Sequence, residues 1–369
     1  MVTTAPGATR QGFFIGRSKG KGKREQGKVI AETMFAAVLR GSGDMTVQEA
    51  ARPACPAGGL LVRVRACCLC ATDAKMWQRG HRDLVLPRIL GHEVAGEVVQ
   101  VGEGVTGFAV GAPVQVAPGL PCGRCRWCLT GAPNMCQEMR IIGFHADGGL
   151  AQYMAVPAAG VAQGAVSVLP AGLDFATGAL AEPLACCINA QELARVGLGD
   201  RVAIFGAGPQ GWLQVQVARL RGAARIFLVE KDPDRLAAAV GAGADLIIDA
   251  GGREPVAMIL AETGGQGVDV VLPVCGDPRV LAWGLAVLAR RGRLCLYAGL
   301  PPEGERFPIN LNRLHYLEAA LVGAYGCTSR QNALALELLA QGRVRVEGLI
   351  TQRLPLDQVA CGLELVGRR

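Results

Sequence analysis

The sequence predicts an α/β protein of two domains: a small, irregular β-barrel-like domain and a doubly wound parallel-sheet domain. Three observations predict it. At 369 residues the chain exceeds what one hydrophobic core usually serves. Its first half runs as short β-like segments broken by Gly- and Pro-bearing turns. From residue 199 onward, short apolar strands alternate with helical patterns, the order that builds a parallel sheet with right-handed crossovers.

Composition narrows the function classes. Half of the residues are apolar and 5% aromatic, a globular balance. No apolar run reaches the roughly 18 residues that span a bilayer, and the N-terminus lacks the apolar centre of a secretory signal, so no membrane partner is expected. Fourteen cysteines, some adjacent (Cys67-Cys68, Cys186-Cys187), fit metal-bound thiolates in a reducing cytoplasm better than a disulfide framework. The net charge of +7 is concentrated in residues 1–33, where Arg10, Arg17, Lys19, Lys21, Lys23, Arg24 and Lys28 face only Glu25 and Glu32. The remainder is near neutral, so no nucleic-acid partner is expected. The Gly-, Lys- and Thr-rich stretch 1–33 reads as a disordered basic tail.

Taken in order, strands are expected over Phe35–Arg40, Leu60–Ala66, Glu93–Val101 and Ala112–Ala117. The turns between them carry Gly41-Ser42-Gly43, Pro56-Ala57-Gly58-Gly59, Gly102, Gly104, Gly107 and Gly111. A cysteine loop and a strand over Gly149–Val156 follow. The second domain is expected to hold strands over Arg201–Phe205, Arg225–Val229, Asp245–Ile248, Val268–Leu272 and Leu294–Tyr297, with helices over Trp212–Leu220 and Asp234–Gly241. A helix over Gln331–Ala340 and an extended run over Leu349–Leu354 close the chain.

Cys122, Cys125, Cys128 and Cys136 fall at the spacing C-x2-C-x2-C-x7-C. Two-residue gaps let neighbouring thiolates turn onto one ion, and the longer gap returns the fourth. The outcome is a closed S4 site suited to structural Zn2+, with no open position for substrate. An iron–sulfur cluster is the rival, but its run ends C-x3-C-P, whereas Gln137 follows Cys136 here.

Gly206-Ala-Gly208-Pro209-Gln210-Gly211 stands between an expected strand and an expected helix, and Glu230 ends the next strand 19 residues after Gly211. Gly206 permits the tight turn, Gly208 the backbone approach to a pyrophosphate, and Gly211 the close helix–strand packing. The pyrophosphate would sit at the helix N-terminus. Glu230 would accept hydrogen bonds from the adenosine ribose and repel a 2′-phosphate, which favours NAD over NADP; Lys231 and Arg235 keep NADP open. The expected cofactor contacts are Gly206, Gly208, Pro209, Gln210, Gly211, Glu230 and Arg235, with Ala298, Gly299 and Leu300 after the last strand.

Cys70, with Thr72 two residues on, follows one strand; His92-Glu93 opens another; Glu182 precedes the second domain. Singly, each has a plain reading, a small core thiol or a solvated turn residue. Together they offer the Cys/His/carboxylate donors of an open catalytic zinc site. His81 reads as a surface residue, His145 as a loop residue and His315 as part of a local turn, while Trp77 fits core packing or a pocket wall.

Gly91-His92-Glu93, the four-cysteine loop, Glu182-Pro183-Leu184, Gly206-Ala-Gly-Pro-Gln-Gly211, Asn310-Leu-Asn-Arg-Leu-His-Tyr316 and Gly323-Ala-Tyr-Gly-Cys-Thr328 occur in this order. The chain thereby resembles the zinc-dependent medium-chain dehydrogenase/reductase (alcohol dehydrogenase) family, its sorbitol/iditol (polyol) and threonine dehydrogenase branch in particular. The resemblance implies a GroES-like catalytic domain over 34–185, a Rossmann domain over 186–320 and a return to the catalytic domain over 321–369. It implies two Zn2+ per chain, NAD(H) and a small-molecule alcohol substrate. Cys70 and His92 would be catalytic zinc ligands, with Glu93 and Glu182 exchanging as the carboxylate, and Thr72 would relay the alcohol proton. Zinc would lower the pKa of the substrate hydroxyl and the nicotinamide would take the hydride. The implied activity is oxidation of a secondary alcohol of the sorbitol, iditol or xylitol type. Threonine 3-dehydrogenase-like or amino-cyclitol oxidation is the alternative, and a silent NAD-binding zinc relative the non-enzyme one. A homo-oligomer, tetramer or dimer, is implied too. Three positions depart from the family pattern: Lys75 replaces an outer His, Ala324-Tyr325 an Arg-Tyr pair, and Pro273 an acidic residue.

Overall fold

The computed structural model describes residues 32–300 and 306–367, together with the backbone of Val2–Thr4, Arg24–Glu25 and Lys28–Val29. The expectation of a disordered tail over 1–33 falls largely outside the described residues; the three short backbone strands lie within it. The chain divides into two compact units, Met1–Glu182 with Thr328–Ala340 and Leu349–Arg369, and Pro183–Cys327 with Gln341–Gly348.

The first unit is built around the strand Leu60–Leu69, eight of whose ten residues are buried. It pairs antiparallel with Glu93–Val101 along its length and with Tyr153–Val156 at its start. Glu93–Val101 pairs onward with Pro113–Val116, and that strand with Val166–Val168. A second sheet sets Thr33–Gly41 between Asp44–Ala51 and Arg88–Ile89. One core joins them, with Leu39, Leu60, Val62, Leu69, Met76, Leu90, Val94, Leu150 and Met154 buried together. The expected strands are present with shifted ends: Phe35–Arg40 extends to Thr33–Gly41 and Leu60–Ala66 to Leu60–Leu69, whereas Ala112–Ala117 is regular only over Pro113–Val116, and Gly149–Val156 only over Tyr153–Val156. Gly148 and Gly149 instead approach Leu90 and Val94 so closely that a Cβ on either would collide.

The second unit is a six-stranded parallel sheet. Its strands are β1 (Arg201–Phe205), β2 (Arg225–Glu230), β3 (Leu246–Asp249), β4 (Val268–Pro273), β5 (Leu288–Leu296) and β6 (Ala320–Gly323). They lie in the order β3-β2-β1-β4-β5-β6. This is the doubly wound order, and its direction reverses between β1 and β4, where ligands of such sheets bind. The helices Pro209–Leu220, Pro233–Ala239, Pro255–Glu262 and Pro278–Ala286 make four of the five crossovers, and each of these opens with proline; Leu311–Leu317 lies in the fifth. Proline at the first helical position loses no hydrogen bond and arrives with its φ already set. Asp232 and Asp277 cap two of these helices through the backbone N–H groups of Arg235 and Arg279.

The units meet the expected boundaries unevenly. The second unit starts at Pro183, three residues before the expected 186. The expected return at 321 differs from the observed one at Thr328, because Ala320–Gly323 is the sixth strand of the parallel sheet. Residues 341–348 also stay with the second unit: Trp212 Nε1 and Gln216 Nε2 both donate to the Arg345 carbonyl, and the Arg345 N–H donates to Gln216.

Candidate metal and dinucleotide sites

The four-cysteine loop folds as its spacing requires. A short helix, Arg126–Leu129, carries Cys128, and a single 3-10 turn, Pro133–Met135, delivers Cys136. All four sulfurs lie within 4.8 Å of one another. Cys125 Sγ is 3.6 Å from Cys128 Sγ and 3.9 Å from Cys136 Sγ. A tetrahedron of zinc–sulfur bonds about 2.3 Å long separates its sulfurs by about 3.8 Å, so the cluster fits Zn2+ and is far too open for disulfides. The backbone N–H of Cys128 and other donors beside Cys125 draw its thiol down to about 6, whereas desolvation pushes Cys128 up to about 12 and Cys136 up as well, so the four sulfurs share one ready thiolate.

The second cluster arises from strand register. Cys68 stands opposite Glu93 in the antiparallel pair, so the residue ending one strand and the residues opening its neighbour share one end of the sheet. Cys70, His92 and Glu93 each bring one ligand atom within 4.8 Å of the others. Gly91 makes room for this turn: its φ is +95°, and a Cβ there would sit 2.7 Å from Cys67 Sγ. Cys70 also starts the helix Ala71–Arg79, its sulfur accepting the Thr72 N–H at 3.5 Å while the Asp73 carboxylate accepts the Cys70 N–H at 3.0 Å. The other oxygen of Asp73 lies 3.2 Å from His92 Nδ1. That contact leaves Nε2 of His92 for a metal, the carboxylate–histidine arrangement of ligated imidazoles.

Glu93 tests whether a cation belongs there. Its side chain is fully buried, and neither carboxylate oxygen has a hydrogen-bond partner. Burial, then the nearby charge of Glu182, push its carboxyl up to about 8. Burial also lifts the Cys70 thiol, and although it disfavours charge on His92, Asp73 holds that imidazole well above its ordinary value. A buried thiol, an imidazole and an unpaired carboxylate are the donor set of an open zinc site, and one cation answers all three. Glu182 opens the helix Ala181–Leu193 and stands outside this three-residue group, though its charge is felt by Glu93. Thr72, half-buried on the first turn after Cys70, borders the cluster through its backbone. Asp73 is the functional residue for which the sequence reading proposed no role. Its signal was present as a capping pattern, an acidic residue three positions after the helix-starting Cys70.

In the second unit, Gly206 leaves β1 with φ +110°, and Gly208 caps the helix Pro209–Leu220. A Cβ on Gly211 would lie 1.8 Å from the Gly206 carbonyl oxygen, so only glycine closes this turn. Glu230, at the end of β2, accepts the backbone N–H groups of Ala207 (2.7 Å), Lys231 (2.8 Å) and Asp232 (3.0 Å). Arg235 Nη1 lies 3.8 Å from the same carboxylate and close to Gly208. Gln210 turns its side chain toward Tyr297, just beyond β5, where Ala298, Gly299 and Leu300 follow and Leu300 packs on the sheet core. Among the described residues no helix is long and apolar enough to cross a membrane.

Comparison with known proteins agrees with this two-part fold. Residues 56–167 match the alcohol dehydrogenase GroES-like domain, and residues 209–341 the zinc-binding dehydrogenase domain. A sorbitol dehydrogenase of Bacillus subtilis is 31% identical over 91% of this chain and 94% of its own. An L-threonine 3-dehydrogenase of Pyrococcus abyssi is 36% identical over 80% of this chain and 84% of its own. Among solved structures, a zinc-binding dehydrogenase of Sinorhizobium meliloti bound to NADP superposes with a TM-score of 0.84. It is 32% identical and covers 90% of this chain and 95% of its own.

Proposed function

The chain belongs to the zinc-dependent medium-chain alcohol dehydrogenases, and from that premise we propose that it oxidises a polar secondary alcohol of the polyol type with NAD+. The observation that carries the reading is Glu93, a fully buried carboxylate without a hydrogen-bond partner beside Cys70 and His92. A decayed site has no reason to keep so costly a group.

Cys70, His92 and Glu93 would hold the catalytic zinc, with Glu182 as the exchanging carboxylate, and Cys122, Cys125, Cys128 and Cys136 the structural one. When bound, zinc supplies Lewis-acid polarisation of an alcohol oxygen, and NAD+ supplies the hydride acceptor. Asp73 fixes the His92 tautomer and ring orientation through its 3.2 Å contact. The Thr72 N–H steadies the Cys70 thiolate, and the Thr72 hydroxyl takes the alcohol proton toward solvent. Lys75 stands exposed one turn further along the same helix, where it receives no buried proton but faces water that can. In the second unit, Gly206, Gly208 and Gly211 seat the pyrophosphate at the start of the helix Pro209–Leu220. Glu230, buried and negative at the ribose position, supports NAD over NADP.

Oxidation of a 3-hydroxy amino acid is the second reading, favoured by the 36% identity to a threonine dehydrogenase. Fourteen cysteines, several of them placed as metal donors, support a cytoplasmic setting. The apolar free edge of the parallel sheet at β6, with Leu321 and Tyr325 exposed, supports a homo-oligomer. The deciding experiment measures NADH formation by zinc-loaded protein against sorbitol, iditol, xylitol, simple secondary alcohols and threonine. Turnover confined to vicinal polyols and lost in Cys70→Ala is the expected result. Turnover with threonine alone would move the assignment to the second reading, and silence from protein holding two zinc ions would overturn both.

A further inference from the structure

We propose that Tyr297 is a positioning residue that, with Cys187, aims the side-chain amide of Gln210 at the nicotinamide half of the dinucleotide; the inference rests on the NAD reading above. Gln210 is the second residue of the helix whose N-terminus follows the glycine turn. Such a residue usually serves a dinucleotide through its backbone N–H alone. Here the side chain is committed as well. Its Oε1 accepts the Tyr297 hydroxyl at 2.5 Å and the Cys187 thiol at 3.1 Å, and Tyr297 Oη and Cys187 Sγ are themselves 3.8 Å apart. Cys187 is fully buried on the helix Ala181–Leu193, so one of the two donors is fixed by packing.

Two donors on one carbonyl oxygen settle which way the amide faces. The Gln210 Nε2 has no hydrogen-bond partner among the described residues, and it is not sealed in the core. It therefore offers two N–H donors to whatever enters the site. Topology says which part of the cofactor that is. The dinucleotide of a doubly wound sheet crosses the switch point between β1 and β4, with the adenosine half over β1 and β2. Glu230 at the end of β2 marks that half. Gln210 points the opposite way, past the switch point to Tyr297 at the end of β5. The Nε2 donors then meet oxygens of the nicotinamide ribose or its phosphate, which are rich in acceptors. Without Tyr297 the amide keeps only the weaker Cys187 thiol on its oxygen, and a rotated amide presents that oxygen to the same groups, which repels them.

The test measures NADH binding by fluorescence, and AMP binding by competition with it, for wild type, Gln210→Ala, Tyr297→Phe and the double variant. AMP carries the adenosine half but neither the nicotinamide ribose nor its phosphate. Gln210→Ala is expected to weaken NADH about fivefold, the effect of one net hydrogen bond, and to leave AMP unchanged. Tyr297→Phe is expected to weaken NADH measurably but by no more than that, with the double variant no worse than Gln210→Ala, because both changes remove one contact. Gln210→Glu, which keeps the shape and replaces the NH2 by a charged oxygen, is expected to weaken NADH more than tenfold. Equal weakening of NADH and AMP would reveal a merely structural role and overturn the inference, as would unchanged NADH binding or additive losses. Failure of the wild type to bind NADH at all would overturn the NAD reading together with it.

Discussion

Asp73 joins two of the candidate metal donors, Cys70 and His92, its Oδ1 lying 3.2 Å from His92 Nδ1 and its Oδ2 receiving the Cys70 backbone N–H. One buried carboxylate thus fixes both the helix start that carries the thiol and the ring that carries the imidazole nitrogen. Such supporting partners are worth roughly 10- to 100-fold in metal affinity. Asp73→Asn is therefore expected to lose catalytic zinc to a competing chelator 10- to 100-fold more readily while the cysteine loop keeps its own ion. Metal analysis after dialysis checks it, with zinc per chain falling from about two toward about one. Retention of both ions at wild-type affinity would remove Asp73 from the site.

Glu93 sets a pH dependence that metal should abolish. Its folded-state carboxyl is raised from 4.5 to about 8, first by burial and then by Glu182. A raised carboxylate means that the folded chain binds a proton the unfolded chain has released. The metal-free protein should therefore lose stability as pH rises from about 4.5 to about 8, and change little above that through this group. Zinc neutralises the carboxylate, so the loaded protein should not share the loss. Thermal melts at pH 6 and pH 8 are expected to differ more for chelated than for loaded protein. Glu93→Gln should shrink the difference in chelated protein; an unchanged difference would assign the pH dependence to another group.

Glu230 does more than the ribose contact proposed for it, since its two oxygens accept three backbone N–H groups around the glycine turn. Glu230→Ala should leave those donors unpaired at a cost of about 1–3 kcal/mol. It also removes the charge that opposes a 2′-phosphate while Arg235 remains. The ratio of kcat/KM for NAD to that for NADP is expected to fall at least tenfold. Glu230→Gln, which keeps one acceptor oxygen, should lower the ratio with less loss of stability. A ratio unmoved in both variants would show that cofactor choice is made elsewhere.

What was legible in the sequence was whatever depends on local spacing. C-x2-C-x2-C-x7-C needed no tertiary knowledge, and the glycine turn with Glu230 is contained in one strand–helix–strand unit. Cys70, His92 and Glu93 were legible as candidate zinc donors by residue type, but resemblance assigned their roles, because the Cys68–Glu93 register that brings them together is a long-range pairing. Several elements escaped for a related reason. The strand Asp44–Ala51 is half exposed and acidic, and Ala320–Gly323 is a short edge strand. The helices Pro255–Glu262 and Pro278–Ala286 are apolar nearly throughout although only one face of each is buried, and without a polar face to contrast with it helical periodicity is hidden. The Gln210–Tyr297 pair lies 87 residues apart in sequence and has no local signature at all.

The free edge at β6 carries the prediction about assembly. Strands of a parallel sheet are ordinarily covered on both faces, yet three of the four residues of β6 are exposed. Leu321, Leu296 and Tyr325 add apolar surface at this edge, and among the described residues Ala320–Gly323 pairs on one side only, with β5. An apolar strand edge left in water recruits another strand, and a second copy of the same edge satisfies both at once about a two-fold axis. Sedimentation at micromolar concentration is therefore expected to give a dimer or a tetramer. Leu321→Lys, which places a charge on the edge without touching the sheet core, should shift the protein toward monomer at least tenfold in dissociation constant. Because Leu321 is already partly exposed, the variant should keep its melting temperature at concentrations where it is monomeric and should still bind NADH. A wild type that sediments as a monomer, or a Leu321→Lys variant that assembles unchanged, would place the oligomer contact away from β6.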